Sequence, residues 1–176
     1  MNTEKSLLKT PLKLALAAVF AALVCVATLA LVVSIPATSG YFNLGETVIY
    51  IAALLFGSLV GAFAGGGAAI ADMLVAAQFA PGTLIIKGFE GALVGFLNRK
   101  LQKRTRSRSL SATVSIIIGG LEMVAGYFIY EQLVLGYPFA AALVEVPFNI
   151  VQMLVGLVVA IPVMHIILRV FPQLKS

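Results

Sequence analysis

The sequence predicts an all-α integral membrane protein: a six-transmembrane-helix bundle forming one domain over residues 1–176. Three observations predict it. Hydrophobic residues make up 61% of the chain and charged residues only 11%, where globular domains use roughly 45–50% and ~25%. The apolar residues fall in runs near the ~20 needed to cross a bilayer. The basic residues collect in segments that six crossings would place on one side.

The first span, 12–34, follows a polar start. Its apolar run is too long for the core of a cleaved signal peptide. Spans two and three, 46–60 and 65–79, are short. A reversal is expected between them at Gly61–Gly67, because glycine tolerates tight turns. Span four covers 83–97 and span five 112–133. The last, 139–170, contains Pro147 and Pro162 and is expected to kink or tilt.

Lys5, Lys9 and Lys13 precede span one. Arg99, Lys100, Lys103, Arg104, Arg106 and Arg108 fill a loop at about 98–110, and Arg169 and Lys175 follow span six. The alternate links, 35–45, 80–82 and 136–138, hold no Lys or Arg. This asymmetry places both termini and the basic loop in the cytoplasm. Lys87 is the one exception among the 12 basic residues. A net charge of +5 does not point to nucleic acid here, since the basic loop lies between spans. It is expected to meet lipid headgroups or an acidic partner surface.

One cysteine (Cys25) and one histidine (His165) exclude a disulfide, the usual zinc sites and a Cys–His nucleophile pair. The chain has no GxxxxGK[ST], GxSxG or HExxH motif, so neither catalysis nor a cofactor is expected.

Ionisable residues inside spans are costly and face the bundle interior. They are Asp72, Lys87, Glu90, Glu122 and Glu145, with Glu46 and Glu131 nearer the outer ends. Lys87 and Glu90 share a helix face. Glu145, Asn149 and Gln152 form one stripe; Glu122, Gly126 and Tyr130 form another. Turned inward, these stripes line a cavity open to the outside, with Tyr41, Phe42 and Asn43 as a lid. Such a lining suits a flat heterocycle. Lys87 is expected to pair with Asp72, Glu90 or Glu145. A pair that only holds helices together is the bland alternative, but four acids around one base exceed what that needs. The expected binding set is Asn43, Asp72, Lys87, Glu90, Glu122, Tyr130, Glu145 and Asn149.

Small residues repeat every four positions at Gly57, Gly61 and Gly65, at Gly91 and Gly95, and at Ala17/Ala21 and Ala18/Ala22. This spacing lets helices approach closely. Internal packing is the simple reading. For span one, a docking face for another membrane protein is the sharper one.

The stretches "GYFNLGETVIYIAALLFGSLVGAFAGGGAAIADML", "FAPGTLIIKGFEGALVGFL" and "EVPFNIVQMLVG" together resemble the S components of energy-coupling factor (ECF) vitamin transporters, in the riboflavin and hydroxymethylpyrimidine group. The resemblance is good over spans two to four, fair over span six and poor over span five. It implies a prokaryotic plasma-membrane subunit that captures a vitamin outside and delivers it to a membrane T component driven by two cytoplasmic ATPases. Riboflavin is the first substrate it implies, with hydroxymethylpyrimidine or pyridoxine next. Binding positions carried over from the family are Asn43, Lys87, Glu90, Glu145 and Asn149. Ala17, Ala18, Ala21 and Ala22 match its T-component contact. Phe148 departs from the family, which often has glycine there, and is expected to narrow the pocket. The alternative is a stand-alone proton-coupled transporter using Asp72, Glu90, Glu122 and Glu145 as a relay. The halves show no inverted repeat of the kind many such transporters carry.

Overall fold

A computed structural model describes residues 9–174. Six α-helices follow one another: α1 (Lys9–Ala30), α2 (Gly45–Phe56), α3 (Ser58–Val75), α4 (Ala80–Thr105), α5 (Arg108–Leu133) and α6 (Phe139–Val170). A short 3₁₀ turn, Pro172–Leu174, ends the described chain. Five helices are long and apolar enough to cross a membrane, whereas α2 has 12 residues. At ~1.5 Å per residue that is roughly 18 Å, short of a full crossing.

Large apolar side chains cover the outside of the bundle. Phe63, Leu84, Phe89, Leu121, Ile129 and Val158 are all exposed, while Glu46, Glu90 and Glu131 are buried. This inversion of the usual globular pattern is what a lipid-facing surface requires.

One feature was not expected and one expectation needs correction. In the link after α1, Val33–Ile35 (β1) and Gly40–Phe42 (β2) pair antiparallel, with Ser34 opposite Tyr41. A hairpin therefore caps one end of the bundle, here called the pocket end. The reversal between spans two and three falls at Gly57, not at 61–67, and α3 runs unbroken through those glycines. Gly57 has φ +84°, and a Cβ there would lie 2.3 Å from the Arg99 guanidinium carbon. The positive φ is what demands glycine, since the flexible end of Arg99 could move aside. Arg99 donates to the Phe56 carbonyl at 2.8 Å, satisfying a C-terminal carbonyl of α2.

The next reversal at this same end is built by residues at the join of α4 and α5. Arg106 takes the left-handed conformation (φ 55°) that closes α4, and the Ser107 side chain accepts from Leu110 N to cap α5. This is the basic end of the molecule. At the pocket end, Pro81 in the first turn of α4 suits a position with no intrahelical donor to lose.

The glycine repeats explain how α3 and α4 cross. A Cβ on Gly61 would lie 2.3 Å from the Gly91 carbonyl oxygen, and one on Gly65 would lie 1.9 Å from that of Lys87. Backbone touches backbone along this seam. The α1–α3 contact is similar, with Gly67 against the Ala21 backbone. Ala17 is buried on that side too, while Ala18 and Ala22 stay exposed. α6 continues through Pro147 and Pro162 for 32 residues. At ~1.5 Å per residue it is about 48 Å long, which exceeds a ~30 Å hydrocarbon core and requires tilt or protrusion.

Substituting Gly65 by Val should force α3 and α4 apart. The expected loss is about 1–3 kcal/mol or more, read as lower thermal stability in detergent. Gly66→Ala, whose added carbon meets its nearest neighbour at 3.5 Å, should be tolerated. Equal stability of the two variants would contradict the crossing.

Candidate ligand site

Beneath the hairpin lies a cavity with about 350 Å³ of unfilled space, counting its mouth. Its wall draws on the hairpin, on α3 to α6 and on two of the links between elements. The hairpin gives Gly40 and Tyr41, the turn before α2 gives Asn43, and α3 gives Asp72. The loop before α4 gives Phe79, α4 gives Lys87, α5 gives Tyr127, and α6 gives Glu145, Asn149 and Gln152.

The floor is ionic. The Lys87 ammonium is paired with Glu46 in the first turn of α2 and lies 3.5 Å from Glu90 one turn along its own helix. Tyr50 donates to Glu90 at 2.9 Å. Gln152 donates to Glu46 at 3.3 Å and accepts from Asn43 N at 3.0 Å. Lys87 also stands 5.6 Å from the Tyr127 ring centroid, a cation–π distance. All of this is buried, so the Lys87 charge is held by carboxylates, not water.

The roof is latched by hydroxyls. Thr38 donates to Glu145 and its Oγ1 accepts from Gly40 N. Tyr137 donates to the Thr38 carbonyl at 2.7 Å. Tyr41 and Thr83 both donate to Asp72, and the Thr83 and Tyr127 hydroxyls lie 2.8 Å apart. Burial, then the neighbouring Asp72, pushes the Tyr41 hydroxyl well above its ordinary pKa, so it stays a donor.

The cavity therefore offers carboxylates and amides as acceptors, one ammonium, and the rings of Tyr41, Phe79 and Tyr127 as flat walls. A family described as "ECF-type riboflavin transporter, S component" matches residues 9–169.

The chain belongs to that family.

S components are transporter subunits, so this is a multi-pass membrane protein of a transport system. It is 36% identical over 151 residues to the thiamine precursor transporter HmpT of Lactococcus lactis subsp. cremoris, covering 84% of this chain and 82% of that one. An uncharacterised protein encoded in the gap 3′ region of Pyrococcus woesei is 37% identical over 137 residues, covering 77% and 88%. The solved S component of a bacterial ECF transporter superposes with a TM-score of 0.69 at 20% identity, covering 95% of this chain and 99% of that one. At that identity the likeness bears on the fold.

Within this S component, Asn43, Asp72, Lys87, Glu145 and Asn149 of the expected set meet at the cavity wall. Glu90 lies below it, bonded to Tyr50 and facing Lys87. Two members fall elsewhere. Tyr130 donates to the Gln78 carbonyl at 2.8 Å and ties down the loop between α3 and α4. Glu122 is only partly buried and is absent from the wall, within electrostatic reach of Glu90 and Lys87. The stripe 122/126/130 was one residue out of phase: the inward face of α5 carries Gly120, Met123, Tyr127 and Glu131.

The expected partners of Lys87 also change. Asp72 is taken by Tyr41 and Thr83, and Glu145 by Thr38, leaving Glu46 and Glu90. Phe148 is 40% exposed and off the wall, so it does not narrow the cavity. Of the four alanines carried over as a T-component contact, Ala17 is 1% exposed and packed inside. Ala18 and Ala22 alone are fully on the outer face. Phe79 and Tyr127 were missed. The signal for Tyr127 was its place on the more apolar side of α5.

Replacing Lys87 by Met should leave Glu46 and Glu90 buried without their cation. That change is expected to cost about 3–5 kcal/mol, measured by thermal unfolding. Adding Glu46→Gln to it should restore part of the loss. An unchanged midpoint in the single variant would show that the ion pairs do not hold α2 to α4.

Proposed function

We propose that this chain is the substrate-binding subunit of an ECF transporter that takes up a small, flat nitrogen heterocycle bearing amino and hydroxyl groups, of the hydroxymethylpyrimidine type. The observation that carries the reading is the lining itself: acceptor groups at Asp72, Glu145, Asn149 and Gln152 beside the rings of Tyr41, Phe79 and Tyr127. An aminopyrimidine brings donors that two carboxylates can accept. The likeness to a thiamine precursor transporter supports the same class. Riboflavin, the first expectation, becomes the second reading: the family description favours it, whereas the relative that matches over 84% of this chain is a thiamine precursor transporter.

In this reading the basic end faces the cytoplasm of a prokaryotic cell and the hairpin faces outside. Asn43, Asp72, Lys87, Glu145 and Asn149 contact the ligand, and Glu90 holds Lys87 in place. Ala18 and Ala22 meet a membrane T component, and two ATPases supply the energy. A chain working alone on a proton gradient would have to take up ligand without those partners.

Mass spectrometry of small molecules released from the purified protein tests the substrate. Hydroxymethylpyrimidine or a close analogue is expected. Release of riboflavin, visible as a yellow preparation, would replace the first reading by the second. Glu145→Gln should weaken binding of the released compound by about tenfold, since a charge-assisted hydrogen bond contributes roughly 1.5–3 kcal/mol. Isothermal titration reads this directly, and unaltered affinity would remove Glu145 from the site. Uptake into vesicles holding this chain alone, abolished by an uncoupler, would overturn the ECF mechanism.

A further inference from the structure

We propose that the groove at the basic end binds the phosphate of an anionic phospholipid headgroup. Three hollows meet there. The first is lined by Arg99, Gln102, Lys103, Arg106 and Arg108. The second shares Arg99, Gln102 and Arg108 and adds Leu54, Leu168 and Leu174. The third joins Arg108 and Leu168 to His165 and Arg169. Their shared residues make one groove, with Arg108 at its middle.

No acid among the described residues pairs with the cations of this groove. Both ion pairs among the described residues belong to Lys87, at the other end. The sequence has no Asp or Glu between 91 and 121, nor any after Glu145. Arg99 spends one donor on the Phe56 carbonyl, and a guanidinium has five N–H groups. The rest remain for an oxyanion, which arginine binds in bidentate fashion.

The apolar part of the groove selects the kind of phosphate. Leu54 and Leu168 form its buried floor, with Leu174 half-buried beside them. Phe96, Leu110, Val170 and Phe171, all at least half exposed, flank the same end. The groove thus sits where a lipid-facing surface gives way to a polar one, which is the level of headgroups. A soluble phosphate would use the cations and leave this exposed apolar flank uncovered. A phospholipid uses both, with phosphate on Arg99, Lys103 and Arg108 and the glycerol and upper acyl chain on the flank. Basic pockets between spanning helices hold acidic headgroups in this way.

The test uses the full chain in nanodiscs of phosphatidylcholine with a minor share of phosphatidylglycerol. Lipid retained after detergent extraction is read by native mass spectrometry. Phosphatidylglycerol is expected to be retained in preference. Lys103→Gln with Arg108→Gln should reduce its retention about thirtyfold, the effect of two charges at a headgroup. Arg99 is left alone because it also serves α2. Arg106→Gln, at an exposed turn, gives an independent reading, with a drop of about fivefold. Equal retention of the two lipids, or retention unchanged in both variants, overturns the proposal. So does displacement of the lipid by glycerol 1-phosphate at matched concentration, which would make this a soluble-phosphate site. Unchanged lipid retention with lost copurification of transporter partners would overturn it in favour of an acidic protein surface.

Discussion

One ammonium group organises the pocket end. Lys87 is buried between Glu46 of α2 and Glu90 of its own helix, and an uncompensated charge at that depth would be far more costly than the pair. Two helices far apart in sequence are therefore obliged to meet there. Glu46 in turn is bonded to Gln152, which holds Asn43, so the arrangement extends into α6 and the turn below the hairpin. Tyr50 completes it by donating to Glu90.

That meeting is possible because of glycine. The α3–α4 seam brings backbones into contact at Gly61, Gly65 and Gly91, and Gly65 rests on the carbonyl of Lys87 itself. The close seam and the buried ion pair are two ends of one device: the first fixes where α4 stands, and the second uses that position to present a charge. The chain's two ends differ accordingly. Acids gather around the cavity, where Glu46, Glu90, Asp72 and Glu145 each have a partner while both oxygens of the buried Glu131 have none; the cations of the α4–α5 turn have no acidic partner within the described chain.

Much of this was legible in the sequence. Six crossings follow from keeping the basic residues on one side, since run length alone leaves 46–79 as one stretch, and Lys87 stands out because it alone breaks that distribution. The 145/149/152 stripe kept its phase because three polar residues marked it, and all three are buried. The α5 stripe failed because Glu122 and Tyr130 are polar but line the flank, while the inward Tyr127 sits among apolar neighbours that gave no contrast. Glu46 was passed over because position along a helix was taken as depth. α2 is short, so its first turn already lies inside the bundle. The hairpin was invisible for another reason: its three-residue strands are too short for a period-2 pattern, and the long-range bonds of Thr38 and Tyr41 hold it in place. Gly57 looked like one glycine among many, since only its positive φ marks it as the turn.

The Thr38 latch has a kinetic side. The carboxyl group that fastens the hairpin, Glu145, is also one of the groups facing the cavity. A molecule inside that engages Glu145 competes with Thr38 for the same oxygens, and Tyr137 alone then continues to hold the hairpin tip by its backbone. Under the proposed function, occupancy and closure would meet on a single carboxylate: a ligand bonded to Glu145 would loosen one fastening of the hairpin, and a firmer fastening would slow entry and exit together.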